Sequence, residues 1–312
     1  MTQDPEKPPA GATQPGPPAS GLPPWQALVL RPLFVPLWSP GFISPKHGLP
    51  YAEPYTFLLL RYATATVLLG AIALAWRAPW PRRASEWGHI AVAGLLVHAV
   101  YISCVFDSIH HGLASGVSAL IVGLQPLLTA AVVAPFLGER VSRRQWAGLL
   151  LGLLGVALVV WEKLDISVDG LWAVALSGIA LLGITAVTVY QKRFCPTLDL
   201  RSGTAIQYFA TTLYVAAFAF AIETREVEWS GEFVFALVWS IVVLSFGAVS
   251  LLFYLLRHGA ASRTAALFYL VPPCTALIAF FLFDERLGAL ALSGMALVAF
   301  GVALATRPGS AP

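Results

Sequence analysis

Apolar residues run along this chain in blocks of about twenty, broken by short polar joints that carry most of the arginines, acids and prolines. Blocks of that length match the roughly 20 residues a helix needs to cross a hydrocarbon core, and none shows the ten-residue alternation of a barrel strand. The pattern predicts helical spans near 27–45, 54–76, 88–108, 114–137, 144–161, 170–190, 203–222, 232–256, 262–283 and 287–306. Helices bond every backbone group within the segment, as a lipid-exposed chain must.

The blocks repeat. Shifting the sequence by 146 positions lays TAALFYLVPPCTALIAFFLFDER (264–286) onto SALIVGLQPLLTAAVVAPFLGER (118–140) without a gap. Pro126 then meets Pro272, Thr129 meets Thr275, Glu139 meets Glu285, Arg140 meets Arg286, Gly148 meets Gly294 and Gly155 meets Gly301. Each unit holds five spans, and an odd number turns the second unit upside down in the membrane relative to the first. The expected fold is therefore an all-α integral membrane protein with ten transmembrane helices in two inverted five-helix repeats, 26–161 and 168–307.

Composition names the solvent. Hydrophobic residues make up 58% of the chain and charged residues 11%, with mean hydropathy +0.76, whereas soluble domains carry about 25% charge. The few charges are sorted by side. Arg77, Arg82, Arg83, Arg140, Arg143, Arg144, Lys192, Arg193, Arg201, Arg257, Arg263 and Arg307 fall in joints reached after an even number of crossings. Lys46, Lys163, Arg225 and Arg286 fall on the other side, with Glu223, Glu226, Glu228 and Glu232. The positive-inside rule makes the first side cytoplasmic and puts both termini there, in a cell inner (plasma) membrane. The net charge of +3 follows from this bias and implies no nucleic-acid partner.

Residues 1–25 read as a disordered, Pro-rich cytoplasmic tail; eight of the 23 prolines lie within the first 24 positions. No basic stretch leads into an apolar run with a small-residue cleavage site, so the first span is expected to be retained. Cys104, Cys195 and Cys274 are scattered without metal-ligand spacing. No metal site and no cofactor is called for.

Three segments carry a family resemblance: LWSPGFISPKHGLPYAEPYTFLLLRY (37–62), GLQPLLTA with LGERVSRRQWAGLLLGLLGVAL (123–158), and YLVPP with FDERLGALALSGMALVAFGVAL (269–304). They resemble the EamA-type permeases of the drug/metabolite transporter superfamily, over about 34–306. The resemblance implies ten helices in two inverted repeats, a central path, and export of amino acids or related small metabolites. One departure is Asp284, which stands where the first repeat has Gly138.

Several polar residues are candidates for the path. Arg61 lies seven positions into the second span, roughly 10 Å from its start, where insertion scales charge about 2.5–3.5 kcal/mol for an arginine. It either faces the bundle interior, as Thr64 and Ala65 on its own face suggest, or snorkels outward to headgroups. At the 146 offset Gln207 and Tyr208 fall on Arg61 and Tyr62, so inversion sends one pair toward each face. A guanidinium at one end and an amide at the other suit a substrate bearing a carboxylate. Pro126 and Pro272 are expected mid-span, as hinges that free the carbonyls of Val122 and Phe268. Gln125 and Tyr269 beside them are candidate substrate contacts.

Other polar groups have plainer readings. Glu139 and Glu285 precede helices, where a carboxylate complements the N-terminal dipole. His110 and His111 sit in an outer joint. Asp107 is a candidate for proton coupling, since an intramembrane carboxylate is a functional hypothesis by default. His98, nine positions earlier, falls on the opposite face of an ideal helix. Gly148, Gly152, Gly155, Gly294 and Gly301 read as close helix contacts.

Together these features predict a permease working by alternating access on a small-molecule substrate within the lipid bilayer, with protons as a candidate coupling ion. Uptake, or a sugar-linked or drug-like cargo, is the alternative within transport. An intramembrane enzyme lacks a nucleophile with a base at helical spacing, so no catalytic residue is assigned. A membrane scaffold or sensor would have to work through short loops. Nothing in the pattern fixes a homo-oligomer.

Overall fold

The computed structural model describes residues 24–125, 127–129, 143–163, 168–195, 199–258, 268–284 and 288–306. Among these the chain is helical, with one isolated antiparallel bridge between Ala52 and Val227. In chain order the helices are α1 (Pro24–Trp38), α2 (Ser44–Gly48), α3 (Pro54–Ala75), α4 (Ala84–His110), α5 (Ser115–Val122) and α6 (Arg143–Lys163). They continue with α7 (Val168–Phe194), α8 (Leu200–Ile222), α9 (231–258), α10 (Val271–Phe283) and α11 (Ala289–Thr306). Five apolar segments are long enough to cross a membrane: Pro54–Ala75, Ala84–His110, Asp169–Gln191, Leu200–Ile222 and Gly231–Leu252. Large apolar side chains such as Val67, Leu74, Phe220 and Phe281 stand exposed on their outer faces, as lipid-facing residues do. The protein is a multi-pass membrane protein.

Helices superposed by the 146 offset pack on one another. α3 and α8 run antiparallel: the Thr66 and Thr212 hydroxyls meet at 3.1 Å in the middle. At one end the Glu223 carboxylate accepts hydrogen bonds from the first free N–H groups of α3, at Tyr55 (2.7 Å) and Thr56 (2.6 Å). At the other, the Ser202 hydroxyl donates to the Pro79 carbonyl. α6 and α11 also run antiparallel and approach through glycines. A Cβ on Gly155 would lie 2.5 Å from the Gly294 carbonyl oxygen, and one on Gly301 would lie 2.6 Å from that of Gly148. Without side chains at these four positions the backbones come close enough for dispersion to hold the pair in lipid.

Helix ends explain the boundaries. Pro54 opens α3 at a position where its missing N–H costs nothing. Its neighbour Glu53 does not cap its own helix; it accepts from the Thr224 backbone and hydroxyl, both at 2.7 Å, while Glu223 caps α3 from across the interface. The counterpart of Glu53 is Asp199, which does cap its own α8. Tyr51 donates to Glu232 at 2.7 Å, and Glu228 donates its N–H to the Tyr51 carbonyl, so the joints before α3 and after α8 form one polar cap. The start of α4 also lies against the end of α7, with the His89 ring stacked on Phe194 and bonded through Nδ1 to the Tyr190 hydroxyl at 2.8 Å.

Three expectations change. The first span ends at Trp38, because Ser39-Pro40-Gly41 tightens into a 3₁₀ turn, and α2 follows as a separate short helix. Pro272 does not interrupt a continuous helix. It lies in the first turn of α10, after the 3₁₀ turn Phe268–Leu270, where a proline needs no N–H partner. α4 and α9 are not uniform either, since each contains a π-helical stretch, Leu95–Ile102 and Ser240–Ala248. The two stretches coincide under the 146 offset. Asp284 takes up a left-handed conformation (φ 50°) to end α10, a geometry that aspartate tolerates better than most residues.

Candidate functional site

Two turns into α3, Arg61 points into the protein and not to the headgroups: it is only 3% exposed. Its Nε donates to the Ser245 hydroxyl at 3.2 Å, and Ser245 in turn donates to the Ser240 carbonyl at 3.1 Å. Both serines belong to the π stretch of α9. The guanidinium carbon also lies 5.4 Å from the Tyr62 ring centre, within cation–π range. Among the described residues no carboxylate pairs with Arg61. A buried guanidinium held by a hydroxyl and a ring has most of its five donors left for a ligand.

Aromatic rings close around it. Tyr62 and Tyr208, both fully buried, meet edge to face at 5.5 Å. The His98 ring from α4 lies 4.3 Å from Tyr208 and 5.6 Å from Tyr62. Tyr62 donates its hydroxyl to the His98 carbonyl at 3.2 Å. Arg61 and Ser245 both neighbour the Tyr208 hydroxyl, which nonetheless has no hydrogen-bond partner, and the same is true of Gln207 Nε2. Buried orphan donors of this kind are uncommon and call for an explanation. A positive charge beside an unpartnered hydroxyl, with no carboxylate paired to it among the described residues, is suited to an oxyanion such as a carboxylate.

The structure brings together Arg61 and Tyr208 from the sequence candidates. Gln207 adjoins them along the chain, on the part of α8 that Gly94 packs against; a Cβ on Gly94 would lie 2.6 Å from the Gln207 Cα. Gln125 is placed elsewhere, its amide donating to Thr129 at 3.2 Å and to Thr188 on α7 at 3.1 Å. Asp107 belongs to a separate group near the C-terminal end of α4, where its Oδ2 accepts from the Tyr55 hydroxyl at 3.0 Å and its carbonyl meets His111 Nδ1 at 2.9 Å. Pro126 and the side chain of Tyr269 lie outside the described residues, as do Glu139 and Glu285. Among the described residues no cluster of three His, Cys, Asp or Glu side chains is placed to hold a metal.

Tyr62, His98 and Ser245 were missed as site residues by sequence reasoning. Tyr62 was visible as the counterpart of Tyr208, but nothing local marks His98 or Ser245, which reach the site from helices 37 and 184 positions away in the chain. A cleft of about 220 Å³ lies between α5, α10 and α11, lined by Leu120, Gly123, Pro272, Met295 and Val298 among others. Its walls are apolar and offer no group to orient a charged ligand.

Comparison with known proteins supplies the family. The model of the EamA-like transporter family matches residues 28–161 and again 171–307. The chain belongs to that family. This EamA-like transporter is 25% identical over 295 residues to an uncharacterized transporter, YvbV, of Bacillus subtilis, covering 93% of this chain and 94% of the relative. It is 28% identical to a probable terminal-alkyne amino-acid exporter of Streptantibioticus cattleyicolor, covering 90% and 92% of the two chains. A probable amino-acid metabolite efflux pump of Escherichia coli matches at 27% over 137 residues, 44% of each chain. A solved crystal structure, 20% identical, superposes with a TM-score of 0.64 over 90% of this chain and 97% of the other. At that identity the likeness is one of fold.

Proposed function

We propose that this EamA-like transporter exports an amino acid or a related small organic metabolite bearing a carboxylate. The observation that carries the cargo class is Arg61, a buried cation without a carboxylate partner among the described residues, beside the unpartnered Tyr208 hydroxyl. A cargo carboxylate would accept from both and neutralise the charge, and Arg can hold such a group bidentately. The amino-acid exporters and efflux pumps among the relatives support the same class.

The mechanism proposed is alternating access between two inverted five-helix repeats, 26–161 and 168–307, with ten crossings and both termini in the cytoplasm of a cell with the protein in its inner membrane. The antiparallel pairing of α3 with α8 and of α6 with α11 supports this arrangement, as does the double match to one family model. Asp107, half-buried under Tyr55, is the proposed proton-coupling residue.

Reconstitution tests the function. Purified protein in liposomes, given pooled labelled metabolites with and without a pH gradient, is expected to carry carboxylate-bearing cargo faster than empty vesicles; no flux of any pool would contradict the proposal. Alkaline phosphatase fused after His111 or Glu228 should be active and after Arg83 or Arg201 inactive. Activity at Arg201 would overturn the inverted arrangement.

A further inference from the structure

We infer that the apolar cleft between α5, α10 and α11 is a binding site for an acyl chain of a bilayer lipid. The site shares no residue with the Arg61 group, and it depends on the membrane around the protein, not on the movement of any cargo.

The cleft has a buried floor and an open rim. Leu120, Gly123, Pro272 and Val298 are buried, whereas Pro273 on α10 and Ala296 and Ala299 on α11 are exposed. Large apolar side chains on the same two helices, Leu277, Phe281, Leu292 and Phe300, are exposed as well, so the mouth opens on a lipid-facing surface. Val298 lies midway along α11 (Ala289–Thr306). At 1.5 Å per residue that helix spans roughly 27 Å, close to the thickness of a hydrocarbon core. The cleft therefore meets tails, and headgroups lie beyond it.

Comparing the two halves shows what chemistry the cleft takes. Under the 146 offset Leu124, Leu127 and Gly152 fall on Leu270, Pro273 and Val298. In the first half, Leu124 and Leu127 are both buried and pack against the bare backbone of α6: a Cβ on Gly152 would lie 2.9 Å from a Leu127 methyl carbon and 3.1 Å from one of Leu124. In the second half, Leu270 is 55% exposed and the compact ring of Pro273 stands at the rim. The protein's own leucines close this position in one half and leave it open in the other. What fits the open one is leucine-like: apolar, narrow and flexible.

Water does not meet that description. A buried water needs two to four polar partners, and apolar cavities stay dry and take apolar ligands instead; among the lining side chains only the Met295 thioether can accept, and weakly. Walls that face nothing forfeit their dispersion contacts, and dispersion is what holds membrane helices together in the absence of a hydrophobic force between them. An acyl chain restores those contacts and is the surrounding solvent. No lining residue carries a charge, so recognition is of the tail and is indifferent to the headgroup.

Photolabelling tests the site. The full-length protein is reconstituted with a phosphatidylglycerol, or with a phosphatidylcholine, that carries a diazirine midway along one acyl chain, then irradiated and mapped by tandem mass spectrometry. Wild type is expected to carry acyl adducts at Leu120 as readily as at exposed Val67 on α3, although Leu120 is only 2% exposed, and equally with both lipids. Ala299→Phe plugs the mouth and should abolish the Leu120 adduct while sparing that at Val67; Ala296→Leu, a smaller plug on the same rim, should reduce it. Leu292→Phe, on α11 outside the cleft, should change neither. Wild-type adducts at Leu120 no more frequent than at buried Tyr208 overturn the site, as do adducts undiminished by either plug. A second copy of the chain seated over the mouth would leave Leu120 unlabelled and overturn it in the same way.

Discussion

The hydroxyls of Thr66 and Thr212, exactly one repeat length apart at 146 positions, meet at 3.1 Å between antiparallel helices. Thr212 also donates to the Tyr208 carbonyl at 2.8 Å, so Thr66 is the donor across the pair. Their midpoint lies where an axis relating the two halves would pass. Replacing both, Thr66→Cys with Thr212→Cys, should let mild oxidation join α3 to α8. Mass spectrometry of the digested protein is expected to find the linked peptides, and a failure to crosslink would mean that these helices do not pack face to face in the membrane.

Glycine positions give a stability test. Gly155 and Gly301 each face a carbonyl oxygen on the neighbouring helix, whereas Gly70 on α3 has nothing within 4 Å of an added Cβ. Gly155→Leu should force α6 and α11 apart and lower thermal stability in detergent by about 1–3 kcal/mol, the usual cost of overpacking. Gly70→Ala should leave stability unchanged or raise it by up to about 1 kcal/mol through helix propensity. Equal effects from the two would remove the close approach of α6 and α11 as a source of stability.

The polar cap at the start of α3 predicts a pH dependence. Hydrogen bonds from Thr224 hold the Glu53 carboxyl below the usual carboxylate range. A group whose pKa is lower folded than unfolded stabilises the fold above its unfolded value, near 4.3 for glutamate, and loses that contribution as pH falls through the folded value. Melting temperature should therefore fall more steeply below about pH 4.3 in the wild type than in Glu53→Gln. Glu223→Ala removes the cap on Tyr55 and Thr56 and should cost about 0.5–2 kcal/mol at neutral pH. A Glu53→Gln profile that overlays the wild type would remove Glu53 from the cap.

Much of this architecture was readable from the chain. The membrane solvent, five of the apolar spans and the 146 offset follow from composition and self-similarity, and the family match over residues 28–161 and 171–307 agrees with the resemblance seen in the motifs. The depth of Arg61 was visible too, but its direction was not, because snorkelling and burial differ only in which helices stand beside α3. His98 was assigned a face by a 3.6-residue period that the π stretch Leu95–Ile102 breaks. Gln125 looked central because it adjoins Pro126, yet Thr188 on α7 takes its amide, and no periodicity tells which helix will be the neighbour. Pro272 carried the sequence of a kink and the structure of a helix start, since the preceding residues tighten into a 3₁₀ turn.

Concentration-dependent flux in wild type, Arg61→Gln and Arg61→Lys at matched membrane levels tests most directly whether Arg61 holds the cargo. Losing a charge-assisted hydrogen bond costs about 1.5–3 kcal/mol, so Arg61→Gln should weaken apparent affinity by about ten-fold or more for carboxylate-bearing cargo. Arg61→Lys keeps the charge but not the planar fork and should fall between the two. Wild-type apparent affinity in the Gln variant would contradict the account and leave Arg61 as a structural residue of the bundle.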